Sequence, residues 1–283
     1  MRLANVAGRM KLLVPGGAVD LERVSGGAFT SDPFAVWERF DELIEFAGTE
    51  READESFDPL SADAPVPAPR QVFAIALNYS EHADESGFAK PDAPLVFTKF
   101  PTAIAGATST VELPLGSVDW EVEAVVVIGR TATQVAEDRA WDYVGGVTVG
   151  QDISERILQR SGPAPQFCLA KSFPGFAPIG PCVVSPDELQ QRDDLVLGCD
   201  VNGVEMQKGT TKDMLFSVPE LVAYLSGILT LLPGDLIFTG TPPGVGMGRT
   251  PPVFLQDGDV LRSSIDGVGS ITQTFVSTRA KVG

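Results

Sequence analysis

A chain of 283 residues with 43% hydrophobic and 21% charged side chains can bury a substantial core, and its formal net charge of −17 opposes binding to nucleic-acid phosphates or anionic membranes. Three cysteines (Cys168, Cys182, Cys199) without a C-x-x-C pair fit a reduced cytoplasmic protein, and a single histidine, His82, rules out His-rich metal sites. The N-terminus lacks a signal-peptide core and no stretch reaches the ~18 apolar residues of a membrane span, so a soluble cytoplasmic protein is expected.

Residues 1–62 read as a small α+β unit, with a helix starting at Asp32-Pro33 and carrying Phe34, Trp37, Phe40 and Ile44 at helical spacing. Residues 63–69, within the Pro/Ala-rich stretch Ser61 to Pro69, form a linker, and residues 70–283 form the larger domain. Gln71 to Leu77 predicts a buried strand. His82 and Glu85 follow it three residues apart, so on one helical turn they share a face and can form a carboxylate-oriented general base. Ser86 to Pro94 has the composition of a lid. Leu95 to Phe100 is a further strand with Lys99 on it.

Asp119-Trp120-Glu121-Val122-Glu123 runs directly into the apolar block Ala124 to Ile128. On a strand, Glu121 and Glu123 leave the same face, and two carboxylates so close need protonation or a cation. An exposed edge strand gives the same alternation, but apolar residues on both faces after Glu123 argue for burial. Val147 to Gln151 is a second apolar block ending on Asp152. If the two strands pair, three carboxylates converge as ligands for a hard ion, Mg²⁺ or Mn²⁺.

Between these strands, Ala136 to Tyr143 reads as a short helix closed by Gly145-Gly146. Beyond Asp152, Ile153 to Arg160 predicts a short helix bearing Arg156 and Gln159. Lys171 is a cation among apolar neighbours and needs an anionic partner. Ser217 to Glu220 is a capping box opening a helix. Leu236 to Phe238 is a strand entering the Gly-rich loop Thr239 to Gly248, which is not a dinucleotide fingerprint but can cradle an anion with its amides. Val260 to Phe275 is a hairpin. The large domain is therefore α+β and mainly β.

Taken together, Leu77-Asn78-Tyr79 with His82-x-x-Glu85, Trp120-Glu121-Val122-Glu123, Gln151-Asp152-Ile153-Ser154-x-Arg156-x-x-Gln159, Ala170-Lys171-Ser172-Phe173, Phe216 to Leu221 and Pro233-Gly234-Asp235 through Thr239-Gly240-Thr241-Pro242 resemble the fumarylacetoacetate hydrolase family. The resemblance covers residue 70 to the end. It implies a mixed β-roll or sandwich catalytic fold, a homodimer, and one Mg²⁺ or Mn²⁺ with no organic cofactor. By position it implies Glu121, Glu123 and Asp152 as metal ligands, and His82, Glu85 and Lys171 as catalytic residues. Lys99, Arg156, Gln159 and Thr241 match the substrate shell.

The fourth carboxylate of eukaryotic fumarylacetoacetases, near Asn78-Tyr79, is absent, which matches the prokaryotic three-carboxylate type. Glu155 and Ile157 also depart from the family's usual small residue and Asp around Arg156. The implied reaction is hydrolysis of a C–C bond in an acylpyruvate or 2,4-diketo acid. The alternatives are oxaloacetate decarboxylation and 2-keto acid isomerisation or dehydration at the same site, or a non-enzymatic binding module holding a structural ion.

Overall fold

The computed structural model describes residues 1–86 and 89–277, and Gly87 and Phe88 of the expected lid lie outside the described residues. In chain order the strands begin with Arg2–Val6 (β1), Arg9–Val14 (β2), Gly17–Asp20 (β3), Val72–Ala76 (β4), Leu95–Thr98 (β5) and Ile104–Ala105 (β6). Thr108–Glu112 (β7), Val118–Asp119 (β8), Val122–Ile128 (β9), Val144–Gln151 (β10), Ser154–Glu155 (β11) and Ala177–Val184 (β12) follow. Val196–Val201 (β13), Val204–Thr210 (β14), Leu236–Phe238 (β15), Val260–Ile265 (β16) and Gly269–Val276 (β17) complete the set. The α-helices are short: Leu21–Val24 (α1), Phe40–Ala47 (α2), Ser80–Ser86 (α3), Arg156–Gln159 (α4), Phe167–Ala170 (α5) and Val218–Ile228 (α6).

The large sheet has the order β3-β2-β1-β12-β10-β9-β15-β4-β5, with β6 beside β12. A second sheet, β14-β13-β16-β17-β7, covers part of one face. Val125, Val127, Val149 and Ile179 share a core with Leu197, Leu261, Ile271 and Phe275 of that sheet. On the other face, α6 and the 3₁₀ turn Glu137–Tyr143 cover Phe73, Ile75, Val126, Ile128 and Ile237. This explains the unbroken apolar run of β9, in which all seven residues are buried. Antiparallel partners lie on both edges, β10 along its length and β15 at Val125 to Val127.

Two local expectations need correction. The helix expected from Asp32-Pro33 begins later, as a 3₁₀ turn at Val36–Arg39 followed by α2, because Asp32 accepts the Phe34 amide and forms a turn instead. Gly145 and Gly146 do not close a helix but lie inside β10. A Cβ at Gly146 would stand 2.5 Å from the Val184 carbonyl oxygen, so neighbouring strands approach a bare backbone there.

The Pro/Ala stretch is packed: Ala62, Ala64 and Val66 are buried, and the Asn5 side-chain amide donates to the Ala64 carbonyl at 2.9 Å. β1 pairs with β12, so the N-terminal strands extend the large sheet. Ser217 and Glu220 form the expected capping box of α6. All three cysteines are free. Among the described residues, no helix is long and apolar enough to cross a membrane.

Candidate metal centre and active site

The register of β9 and β10 builds the centre. Glu123 lies opposite Gly150, Val122 opposite Gln151, and the chain continues so that the Asp152 amide donates to the Glu121 carbonyl at 2.9 Å. Glu121, Glu123 and Asp152, all buried, thereby bring one carboxylate oxygen each within 4.8 Å of one another. Glu121 itself lies in the break between β8 and β9, where its amide donates to the Gln151 side chain at 2.8 Å.

Three cations press on this cluster. Lys171 Nζ is 2.6 Å from both Glu121 and Asp152, and Lys99 Nζ donates to the other oxygen of Asp152. Arg156 reaches Glu121 at 2.7 Å and Asp119 at 2.8 Å, and donates to Gln159 at 3.0 Å. Burial works against ionisation of Glu121, but Lys171 and Arg156 outweigh it and hold this carboxyl far below the usual range. Glu123 goes the other way: burial, then the charges of Asp152 and Glu121, push its carboxyl well above the usual range. Burial lowers Lys171, yet Asp152 and Glu121 win and its ammonium is raised; for Lys99 burial prevails and the ammonium is lowered. A buried carboxylate pushed upward by its neighbours is the electrostatic demand that a divalent cation satisfies, and all-oxygen donors suit Mg²⁺ or Mn²⁺. The donor set fits such an ion.

His82 and Glu85 lie on α3, with Nδ1 2.8 Å from Glu85 Oε1. A carboxylate accepts, so the ring donates from Nδ1 to Glu85 and Nε2 is the nitrogen that this pair leaves unengaged. His82 and the acidic cluster meet in one cavity of about 430 Å³, lined by His82, Glu121, Glu123, Arg156, Gln159, Lys171 and Thr241. Its apolar wall is Ile75, Leu95, Val96, Phe97 and Phe167. Thr241 donates to the Val122 carbonyl at 2.9 Å and so also fixes β9. Lys99 is fully buried behind Asp152 and is not part of the cavity lining.

Sequence reasoning missed how the Thr239 to Gly248 loop works. Its amides cradle the protein's own carboxylates: Gly240 donates to Glu123 at 2.7 Å, Gly244 to Glu85 at 2.9 Å, and Gly246 and Met247 to Asp119 at 2.7 and 3.0 Å. Gly240 and Gly244 have φ of +100° and +107°, which turns these amides inward at no steric cost to glycine. Asp119 is fully buried and ties this loop to Arg156, not a residue of a wet strand edge. Its position two before Glu121 was the available signal.

Residues 71–276 match the family model described as "Fumarylacetoacetate (FAA) hydrolase C-terminal". A solved Mycobacterium smegmatis protein provisionally named HpcE is 52% identical and superposes with a TM-score of 0.95, covering 98% of this chain and 100% of that one. Maleylpyruvate hydrolase from Sphingobium sp. SYK-6, solved with manganese(II) and pyruvate, is 29% identical at a TM-score of 0.76, covering 98% of this chain and 99% of that one. The Bos taurus mitochondrial oxaloacetate tautomerase FAHD2A is 41% identical over 215 residues, 75% of this chain and 68% of that protein. A family match across most of the chain, relatives this similar, and an acidic centre with a divalent-ion donor set lead to one assignment: the chain belongs to the fumarylacetoacetate hydrolase family, as an enzyme with a candidate metal site acting on a small keto- or di-acid.

Proposed function

We propose that the protein hydrolyses a carbon–carbon bond in an acylpyruvate or a related 2,4-diketo acid, as a three-carboxylate member of its family using Mg²⁺ or Mn²⁺. The observation that supports hydrolysis is that His82, held by Glu85, lines the same cavity as Glu121 and Glu123 of the carboxylate cluster. Asn78 supports the three-carboxylate reading, since its side chain is engaged with Phe216 and Thr239. Glu121, Glu123 and Asp152 would hold the ion. When bound, it supplies positive charge that polarises a 2-oxo acid and offsets the negative charge developing as the bond breaks.

The chain's own groups do the rest. His82 Nε2 takes a proton from water directed at the 4-keto carbon, while Glu85 fixes the ring and balances the imidazolium. The C3–C4 electron pair leaves on C3, where a proton completes the 2-oxo acid product. Lys171 adds positive charge beside Glu121 and Asp152. Arg156, Gln159 and Thr241 contact the substrate from the cavity wall, and Lys99 holds Asp152 in place.

Comparing hydrolysis with oxaloacetate decarboxylation tests the dyad, because decarboxylation needs no attacking water. His82→Ala is expected to cut acylpyruvate hydrolysis by ~10²–10⁴-fold while decarboxylation falls much less. Equal losses in the two reactions would remove the dyad from the mechanism. Chelation with EDTA should abolish turnover and Mg²⁺ restore it; turnover unaffected by chelation would count against the metal reading. A second reading, isomerisation or tautomerisation of a keto acid, is favoured by the FAHD2A relative. It predicts rapid keto–enol exchange of oxaloacetate without hydrolysis of any acylpyruvate.

We further propose a homodimer working in the cytoplasm. β5 ends the large sheet, and Leu95 and Val96 on it, Phe100 just after it, and Ile157 and Leu169 on the neighbouring α4 and α5 are exposed. Free thiols suit a reducing compartment.

A further inference from the structure

Resting on the keto-acid reading, we infer that Arg160 selects substrates carrying a second carboxylate at the end remote from the 2-oxo acid. The inference comes from how the cavity's cations are used. Lys171 is committed to Glu121 and Asp152, and Arg156 to Asp119 and Glu121. Lys99 is committed to Asp152. Arg160 also lines the cavity, yet it is exposed and has no carboxylate partner among the described residues. Its one side-chain polar contact is a long one, 3.9 Å to the Met247 sulfur.

Position gives this free guanidinium its role. Arg156 and Arg160 are four residues apart, on α4 and at its C-cap, so their stems stand one helical turn apart, roughly 5–6 Å. Arg156 is buried against the carboxylate centre, whereas Arg160 is exposed, so its guanidinium serves the solvent side of the same cavity. The wall formed by Leu95, Val96, Phe97 and Phe167 suits the apolar middle of a substrate. Gln166, also exposed at this cavity, has no side-chain hydrogen bond among the described residues, and its amide is a second donor there. A guanidinium that holds a carboxylate through two parallel N–H donors discriminates strongly against an uncharged end. The fitting class is a dioate: one end a 2-oxo acid, the other a free carboxylate, with several carbons between.

The test compares chain-matched probes. Succinylpyruvate and its methyl-ended counterpart butanoylpyruvate are assayed with Mg²⁺ in wild type, Arg160→Gln and Arg160→Lys. Independently, calorimetry measures Kd for 2-oxoheptanedioate and 2-oxoheptanoate on the Mn²⁺-loaded proteins. In wild type the dioate should be favoured in both kcat/KM and Kd. Arg160→Gln should reduce the dioate-to-monoacid ratio about 10- to 100-fold, with Arg160→Lys intermediate because a lysine keeps the charge without the fork. An unchanged ratio in Arg160→Gln overturns the inference, as does a wild type that prefers the methyl-ended compounds. If neither diketo acid is hydrolysed but calorimetry shows the Arg160-dependent preference, the hydrolase reading fails and the assignment of Arg160 stands. If butanoylpyruvate is hydrolysed and no Arg160-dependent preference appears, the converse holds.

Discussion

Asp119 holds four partners at once: the amides of Trp120, Gly246 and Met247, and the Arg156 guanidinium. Asp119→Asn removes the charge but keeps the size, leaving a buried arginine paired with Glu121 alone. We expect a loss of ~3–5 kcal/mol in urea unfolding and a raised KM, because Arg156 would no longer be held from behind. A variant as stable as wild type would show that the pair contributes little. Far from the site, buried Asp20 bonds Arg9 at 2.7 and 2.9 Å, Lys11 at 3.2 Å and the Arg23 amide at 3.1 Å. The Arg9 hydrogen bonds hold its carboxyl below the ordinary range. A depressed pKa gives stability that is complete above the unfolded value, near ~3.9, and lost as pH falls toward the folded one. Asp20→Asn should therefore cost about 1.5–3 kcal/mol at neutral pH, with the gap narrowing below about pH 4. Denaturation midpoints at pH 7 and pH 3 measure it, and a gap that widens in acid would contradict it.

At the scale of elements, the Thr239 to Gly248 loop invites a single substitution. In Gly240→Ala the new Cβ would stand 2.7 Å from Asn78 Cβ, at a φ of +100°. Relief of that contact moves the amide that holds Glu123. Mn²⁺ affinity is expected to fall ~10-fold or more, as for other lost partners of metal ligands, with a stability cost of about 1–3 kcal/mol. Unchanged Mn²⁺ affinity in a folded variant would separate the loop from the centre. This loop also shows what was legible. Glu121 with Glu123, and His82 with Glu85, follow from local periodicities of two and of three to four residues, and the sequence displays both directly. Asp152 needed only the inference that two apolar blocks pair. The contact from Gly240 to Glu123 spans 117 residues, and that from Gly246 to Asp119 spans 127. No periodicity encodes separations of that length. The capture of Lys99 by Asp152 is likewise tertiary. The same limit applies to Gly145-Gly146, whose composition signals a helix end while strand packing on both sides decides otherwise.

Across the whole molecule, a net charge of −17 sets the terms for self-association. Two such chains repel, so the proposed dimer must rest on apolar surface and should tighten as salt screens the repulsion. Light scattering should report twice 30.0 kDa at micromolar concentration, and Leu169→Asp should shift it toward the monomer. A monomer at both low and high ionic strength would rule the dimer out. Deleting residues 1–62 would strip β1 from β12 and bare a long apolar edge strand, so aggregation is the expected result.

The four amides that clasp Glu123, Glu85 and Asp119 have a further use. An amide hydrogen trades with solvent deuterium only when its acceptor lets go. Gly240 therefore clocks the release of Glu123, Gly244 that of Glu85, and Gly246 with Met247 that of Asp119. Isotope labelling followed residue by residue would time the opening of the ion-binding, proton-accepting and arginine-anchoring parts of the site separately, in one sample and without any probe attached.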